Sequence, residues 1–142
     1  MGDQVTDLGS PANLVNQKLI VSRVYIHPEL ARVTDANAIT PYPDNTHGTH
    51  VAGIAAGDVV LGGPNAKGWG ELRFSGVAPG AYLMAYRFDY AYTPEIMQAI
   101  EDAVADKADV INNSWGTALM NLLQPDEHPI ARAFKAATAG DT

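Results

Sequence analysis

Strand-like and helix-like stretches alternate along the 142 residues, and that alternation predicts an α/β fold with a parallel sheet flanked by helices. Two further observations support it. The runs at 18–25, 81–88 and 108–114 are apolar, β-branched or aromatic and are bounded by turn formers, as strands are. After the second of these runs, Ile96, Ile100 and Val104 recur every four residues, as on one face of a helix. Crossovers between parallel strands are right-handed. No internal repeat and no internal domain boundary is visible.

The elements follow in order. Met1–Asn16 is polar and rich in turn formers (Gly2, Asp3, Asp7, Gly9, Ser10, Pro11, Asn13), so residues 1–17 are expected to form a loop. Lys18–Tyr25 is the first strand, ended by Pro28, and residues 27–46 hold enough Pro, Asp and Asn to form a long surface loop. His47–Gly57 is an unusual helix. Its three glycines each cost about 1 kcal/mol against alanine. Val51, Ala52, Ile54, Ala55 and Ala56 carry no polar side chain, which predicts burial nearly all round, with Thr46 or Asn45 as N-cap. Gly53 and the alanines would let other backbones come close. The glycine-rich stretch 57–76 reads as a flexible loop.

Ala81–Phe88 is apolar enough for a central strand. Thr93-Pro94-Glu95 starts a helix with a capping threonine, an early proline and an acid at the positive helix end. Ile96, Ile100 and Val104, with Ala99 and Ala103 beside them, make one apolar face through about Lys107. Ala108–Ser114 is a third strand, 117–126 is irregular, and Pro129–Ala137 is a last helix stopped at Gly140.

Composition narrows the function. A chain of this length buries roughly 68–70% of its unfolded surface, and 46% hydrophobic residues argue against disorder. The net charge of -7, with no cluster of Lys or Arg, argues against nucleic acid and anionic membrane surfaces as partners. There is no cysteine, so disulfides, thiolate catalysis and cysteine-held zinc are excluded. No apolar run approaches the ~20 residues of a membrane span. The first twenty residues lack the basic start and apolar core of a signal peptide.

The chemistry concentrates at His47-Gly48-Thr49-His50-Val51-Ala52-Gly53. This run resembles the histidine signature of the subtilisin-like serine proteases (subtilases, peptidase S8). Gly76-Val77-Ala78-Pro79-Gly80-Ala81 resembles the family's turn into its next core strand. Asp109-Val110-Ile111-Asn112-Asn113-Ser114-Trp115-Gly116 resembles the strand forming one wall of its substrate cleft. The resemblance covers roughly residues 18–140 and implies that residues 18–142 are part of a subtilase catalytic domain, with a partial three-layer fold.

The resemblance also assigns roles. His47 would be the general base that takes the nucleophile's proton and returns it to the leaving amine, work suited to an imidazole, which titrates near neutrality. His50, one turn on, would be a packed, hydrogen-bonded core residue. A zinc pair of His47 and His50 is the competing idea, but the spacing and the missing glutamate do not fit the metalloprotease motif. Ser114, Trp115 and Gly116 would pair by backbone with an extended peptide substrate. Gly116 would leave room for a substrate side chain, and Trp115 would shape an apolar subsite or belong to the core. Ser114 lacks the nucleophile's surroundings. Tyr90, Ala91 and Tyr92 would form the opposite wall. The family often binds calcium near the glycine-rich stretch. Asp58, Asn65 and Glu71 are the side-chain oxygens there, and neither calcium nor any other cofactor is assigned.

The chain also departs from the family pattern. No Gly-Thr-Ser-Met-Ala-like sequence holds a nucleophile, and the strand with the oxyanion asparagine is not present. The nearest candidate for the triad aspartate is Asp7, in Asp7-Leu8-Gly9, although Met1–Thr6 is too polar for the apolar strand that normally precedes it. The expectation is a secreted or extracellular parent endopeptidase acting through an acyl-enzyme on serine. The chain alone is expected to be inactive and to self-associate through an open edge and an apolar face. The alternative from another class is a non-catalytic peptide-binding module, expected to be a clean monomer.

Overall fold

The computed structural model describes residues 15–25, 46–61, 73–88, 93–116 and 127–139. Strand β1 spans Leu19–Tyr25, helix α1 His47–Ala56, strands β2 and β3 Val60–Leu61 and Arg73–Phe74, and strand β4 Leu83–Phe88. Helices α2 and α3 span Thr93–Ala105 and Pro129–Ala139.

β1 and β4 pair in parallel, in register from Val21 opposite Met84 to Tyr25 opposite Phe88, with an irregularity between Leu19 and Val21. Parallel neighbours cannot be joined by a hairpin, so the chain between them makes a long excursion through α1. β2 and β3 pair antiparallel, Val60 opposite Phe74 and Leu61 opposite Arg73. The glycine-rich stretch, expected to be a loop throughout, is therefore closed at its base by a short hairpin, because Val59–Leu61 and Arg73–Phe74 are β-formers at its ends.

The core lies where the two long helices meet the sheet. Ile96 and Ile100 of α2 and Ile130 of α3 are buried together, with Phe88, Trp115, Ala133, Phe134 and Ala137 packed around them. The α3 contacts recur at i, i+3, i+4 and i+7, the stripe an amphipathic helix presents to a core. On α2 the buried stripe is Glu95, Ile96, Ala99, Ile100 and Ala103. It centres on the line through Ala99 and Ala103, so Val104, a further 100° round, is exposed instead of buried. α2 stops at Ala105, and Lys107 takes a left-handed φ of 63°. The amides of Lys107 and Ala108 then bond back to the carbonyls of Val104 and Ala103, a Schellman closure that commonly uses glycine.

A polar seam ties β1 and β4 to α2. Arg23 makes a two-pronged contact with Asp106, Nε to Oδ2 at 2.9 Å and Nη2 to Oδ1 at 2.6 Å, and the Tyr86 hydroxyl donates to the same carboxylate at 2.8 Å. The Tyr25 hydroxyl donates to Asp102 Oδ2 at 2.7 Å, and Gln98 donates to its other oxygen at 2.9 Å. Tyr25 is only 2% exposed, so its hydroxyl needs that partner.

Two expectations are corrected. Residues 108–114 form no strand: a strand exists only by exchanging ladder bonds with a neighbour, and none of the described residues pairs with them. Val110 is 85% exposed as a result. α1 is not buried all round either. Ala56 is its one buried residue, because among the described residues only the segment around Gly76–Ala78 lies against it by backbone bonds, and at its C-terminal end. The expectations for residues 1–14, 26–45 and 117–126 lie outside the described residues. Among the described residues no helix is long and apolar enough to cross a membrane.

Candidate active site

The site is built at both ends of β4. Its N-terminal end is fed by the turn Gly76–Ala81, and the amides of Gly76, Val77 and Ala78 donate to the carbonyls of Gly57, Ile54 and Ala55, each at 2.9 Å. These carbonyls lie in the last turn of α1 and just past it, where a helix leaves its acceptors without internal partners. The turn therefore closes the C-terminal end of α1. Lys18 fixes the turn to β1: its Nζ donates to the Pro79 carbonyl at 2.6 Å and pairs with Asp58 at 3.3 Å, while its own carbonyl accepts from the Leu83 amide at 2.7 Å.

His47 is the first residue of α1, at the end opposite this anchor, and is exposed. Thr46 occupies the N-cap position with φ -88° and ψ -7°, but its side chain makes no capping bond. Its carbonyl accepts from the His50 amide at 2.9 Å, the first turn of the helix. His50 is exposed, not packed inside.

At the C-terminal end of β4, Phe88 meets Trp115 edge to face, with ring centroids 5.5 Å apart and planes at 83°. Trp115 is half-buried, so its ring serves the rim of the core and still presents one side outward. Ser114 and Gly116 on either side are exposed. The Asn112 amide donates to Ser114 Oγ at 3.0 Å. A Cβ added at Gly116 would meet nothing within 4 Å, so there is open space beside it.

The remaining named residues divide simply. Asp7 and the Tyr90-Ala91-Tyr92 wall lie outside the described residues, as do Asn65 and Glu71. Asp58 is engaged by Lys18. Sequence reasoning missed Glu95 as a buried group: it is 5% exposed, and its Oε2 has no hydrogen-bond partner among the described residues. Its place one position from Ile96 on the buried stripe was the available signal. It also missed Asp106. The Arg23 guanidinium, and after it the Tyr86 hydroxyl, hold that carboxyl below its ordinary range against the opposing effect of burial. Burial, with the Asp102 and Asp106 carboxylates as acceptors, pushes the phenols of Tyr25 and Tyr86 well above theirs.

A sequence model of the subtilase family, peptidase S8, matches residues 24–141. Subtilisin-like protease SBT1.9 of Arabidopsis thaliana is 34% identical over 116 residues, 74% of this chain and 15% of that protein. Subtilisin-like protease SBT3 of Solanum lycopersicum is 32% identical over 118 residues, 80% of this chain and 15% of its own length. Subtilisin-like protease SBT1.5 of Arabidopsis thaliana is 32% identical over 122 residues, 81% of this chain and 16% of that protein. The chain thus spans about 15% of the length of the curated relatives it matches. No solved structure matches it.

Proposed function

The chain belongs to the subtilase family, and on that premise we propose that it is the histidine-bearing part of a serine endopeptidase, with His47 as the general base. The observation that carries this reading is the run His47-Gly48-Thr49-His50-Val51-Ala52-Gly53 at the exposed start of a helix inside the matched region. A base that must reach both nucleophile and substrate has to be open to the cleft, and His47 is exposed.

The placement of the two halves supports the reading. α1 is about 15 Å long at 1.5 Å per residue, and β4 is about 17 Å from Leu83 to Phe88 at 3.3 Å per residue. α1 ends against the Gly76–Ala81 turn, and β4 begins just after it. A helix ending at that turn and running antiparallel to β4 would bring its first residue level with the strand's far end. His47 and the Ser114–Gly116 segment would then share the carboxyl edge of a parallel sheet, where α/β proteins bind ligands. Ser114, Trp115 and Gly116 would pair with an extended peptide, and Tyr90–Tyr92 would face them across the cleft. Asp7 stands as the nearest aspartate candidate for the triad.

The nucleophile must come from another part of the protein, since no Gly-Thr-Ser-Met-Ala-like run occurs in the 142 residues. The chain alone would have no peptidase activity, and the parent would act outside the cell. Reading the coding DNA beyond the Thr142 codon tests this. The expected result is a frame that continues into a glycine-rich strand with an asparagine and then a Gly-Thr-Ser motif. A stop codon at once, with no serine module encoded nearby, would contradict the protease reading and leave a peptide-binding module in its place.

A further inference from the structure

We infer that Gly76 is a positioning residue for His47, setting the angle of α1 against the sheet by the absence of a side chain. For its catalytic meaning this rests on the reading of His47 as general base; its geometry does not.

Side chains do little to hold α1 among the described residues, since Ala56 is its one buried residue. Backbone holds it instead. The amides of Gly76, Val77 and Ala78 all donate to carbonyls at its C-terminal end, each at 2.9 Å. Such an approach of backbone to backbone leaves no room at position 76. An added Cβ would overlap the Gly57 amide nitrogen and would lie 2.7 Å from both the Ala56 nitrogen and the Gly53 carbonyl oxygen. These are main-chain atoms, so no rotamer change relieves the clash. Either the three bonds break or the helix tilts.

The other side of the clamp cannot give way easily. Lys18 holds Pro79 and Asp58, and Leu83 is already bonded to Lys18 in the sheet. A tilt at the anchored end of α1 is carried to His47 along a lever of about 15 Å. Misplacement of a catalytic group by about 1 Å costs on the order of 10²-fold in rate. Gly80, in the same turn, is a built-in control: a Cβ there meets nothing within 4 Å.

The test uses the 142-residue chain labelled with 15N, compared with Gly76→Ala and Gly80→Ala. Gly76→Ala should shift the imidazole nitrogen signals of His47 and the amides of residues 53–57, leaving the amides of β1 and β4 in place. Gly80→Ala should move neither set. In the unsubstituted chain the amides of Gly76, Val77 and Ala78 should exchange with solvent at least about 10-fold more slowly than unprotected peptide, a measurement that stands even if Gly76→Ala fails to fold. Three results would each overturn the inference: His47 signals that ignore Gly76→Ala, shifts spread equally over β1 and β4, or unprotected exchange at those three amides. None of these readouts involves proteolysis, so a failed general-base reading shows separately, in the kinetics of a His47 variant.

Discussion

The Asp106 carboxylate is the busiest side chain described, accepting from Arg23 on β1 and Tyr86 on β4 while sitting at the end of α2. Its pKa is lowered from 3.8, chiefly by the Arg23 hydrogen bonds. A carboxyl whose folded pKa lies below its unfolded value adds stability that is fully present above the unfolded value and is lost as pH falls through the folded one. Asp106→Asn should therefore destabilise the chain by roughly 2 kcal/mol at pH 7. The gap to the unsubstituted chain should close as the pH drops below about 4. Urea unfolding at pH 7 and pH 3 measures both. The family was legible in the sequence because the run from His47 to Gly53 is contiguous. The Arg23–Asp106 pair was not, because its members lie 83 residues apart and meet only once β1 and α2 have packed.

α2 and α3 show what an element-level pattern can and cannot say. The core face of α2 was readable from Ile96, Ala99, Ile100 and Ala103, whose spacing is a property of the helix itself. Val104 was misplaced because a four-residue repeat drifts by 40° per step and leaves the buried stripe. Residues 108–114 have a strand's composition and no ladder, since a strand depends on a partner that its own residues do not encode. α3 joins the core through Ile130, buried against Ile96 and Ile100. Ile130→Ala should cost about 2–4 kcal/mol. Thermal unfolding followed by circular dichroism checks it, and a loss under about 1 kcal/mol would mean that α3 is not docked as described.

Across the whole molecule, the described chain is one small core with much apolar surface left open. Leu61 is 70% exposed and Val77 87% exposed, with Ile54, Val60 and Phe74 exposed as well. The parallel sheet has two described strands, below the three or more that usually make a sheet stable by itself. Open edges and apolar faces associate, so sedimentation should show species larger than a monomer, shifted toward monomer by Leu61→Lys with Phe74→Glu. A single monomer at every concentration would favour the peptide-binding alternative. Alternation of strand and helix made the α/β class readable from the sequence, and an open edge and apolar face were expected, but not which residues form them, because composition does not say which apolar residues find a neighbour. The central claim is that His47 moves the proton. It is tested most directly by kcat and KM for peptide hydrolysis by the product of the reading frame carried through its serine module, with and without His47→Ala. The predicted result is a fall in kcat of at least about 10⁴-fold with KM nearly unchanged, a magnitude established on subtilisin itself. Turnover by His47→Ala within a few-fold of the unsubstituted protein would contradict the account.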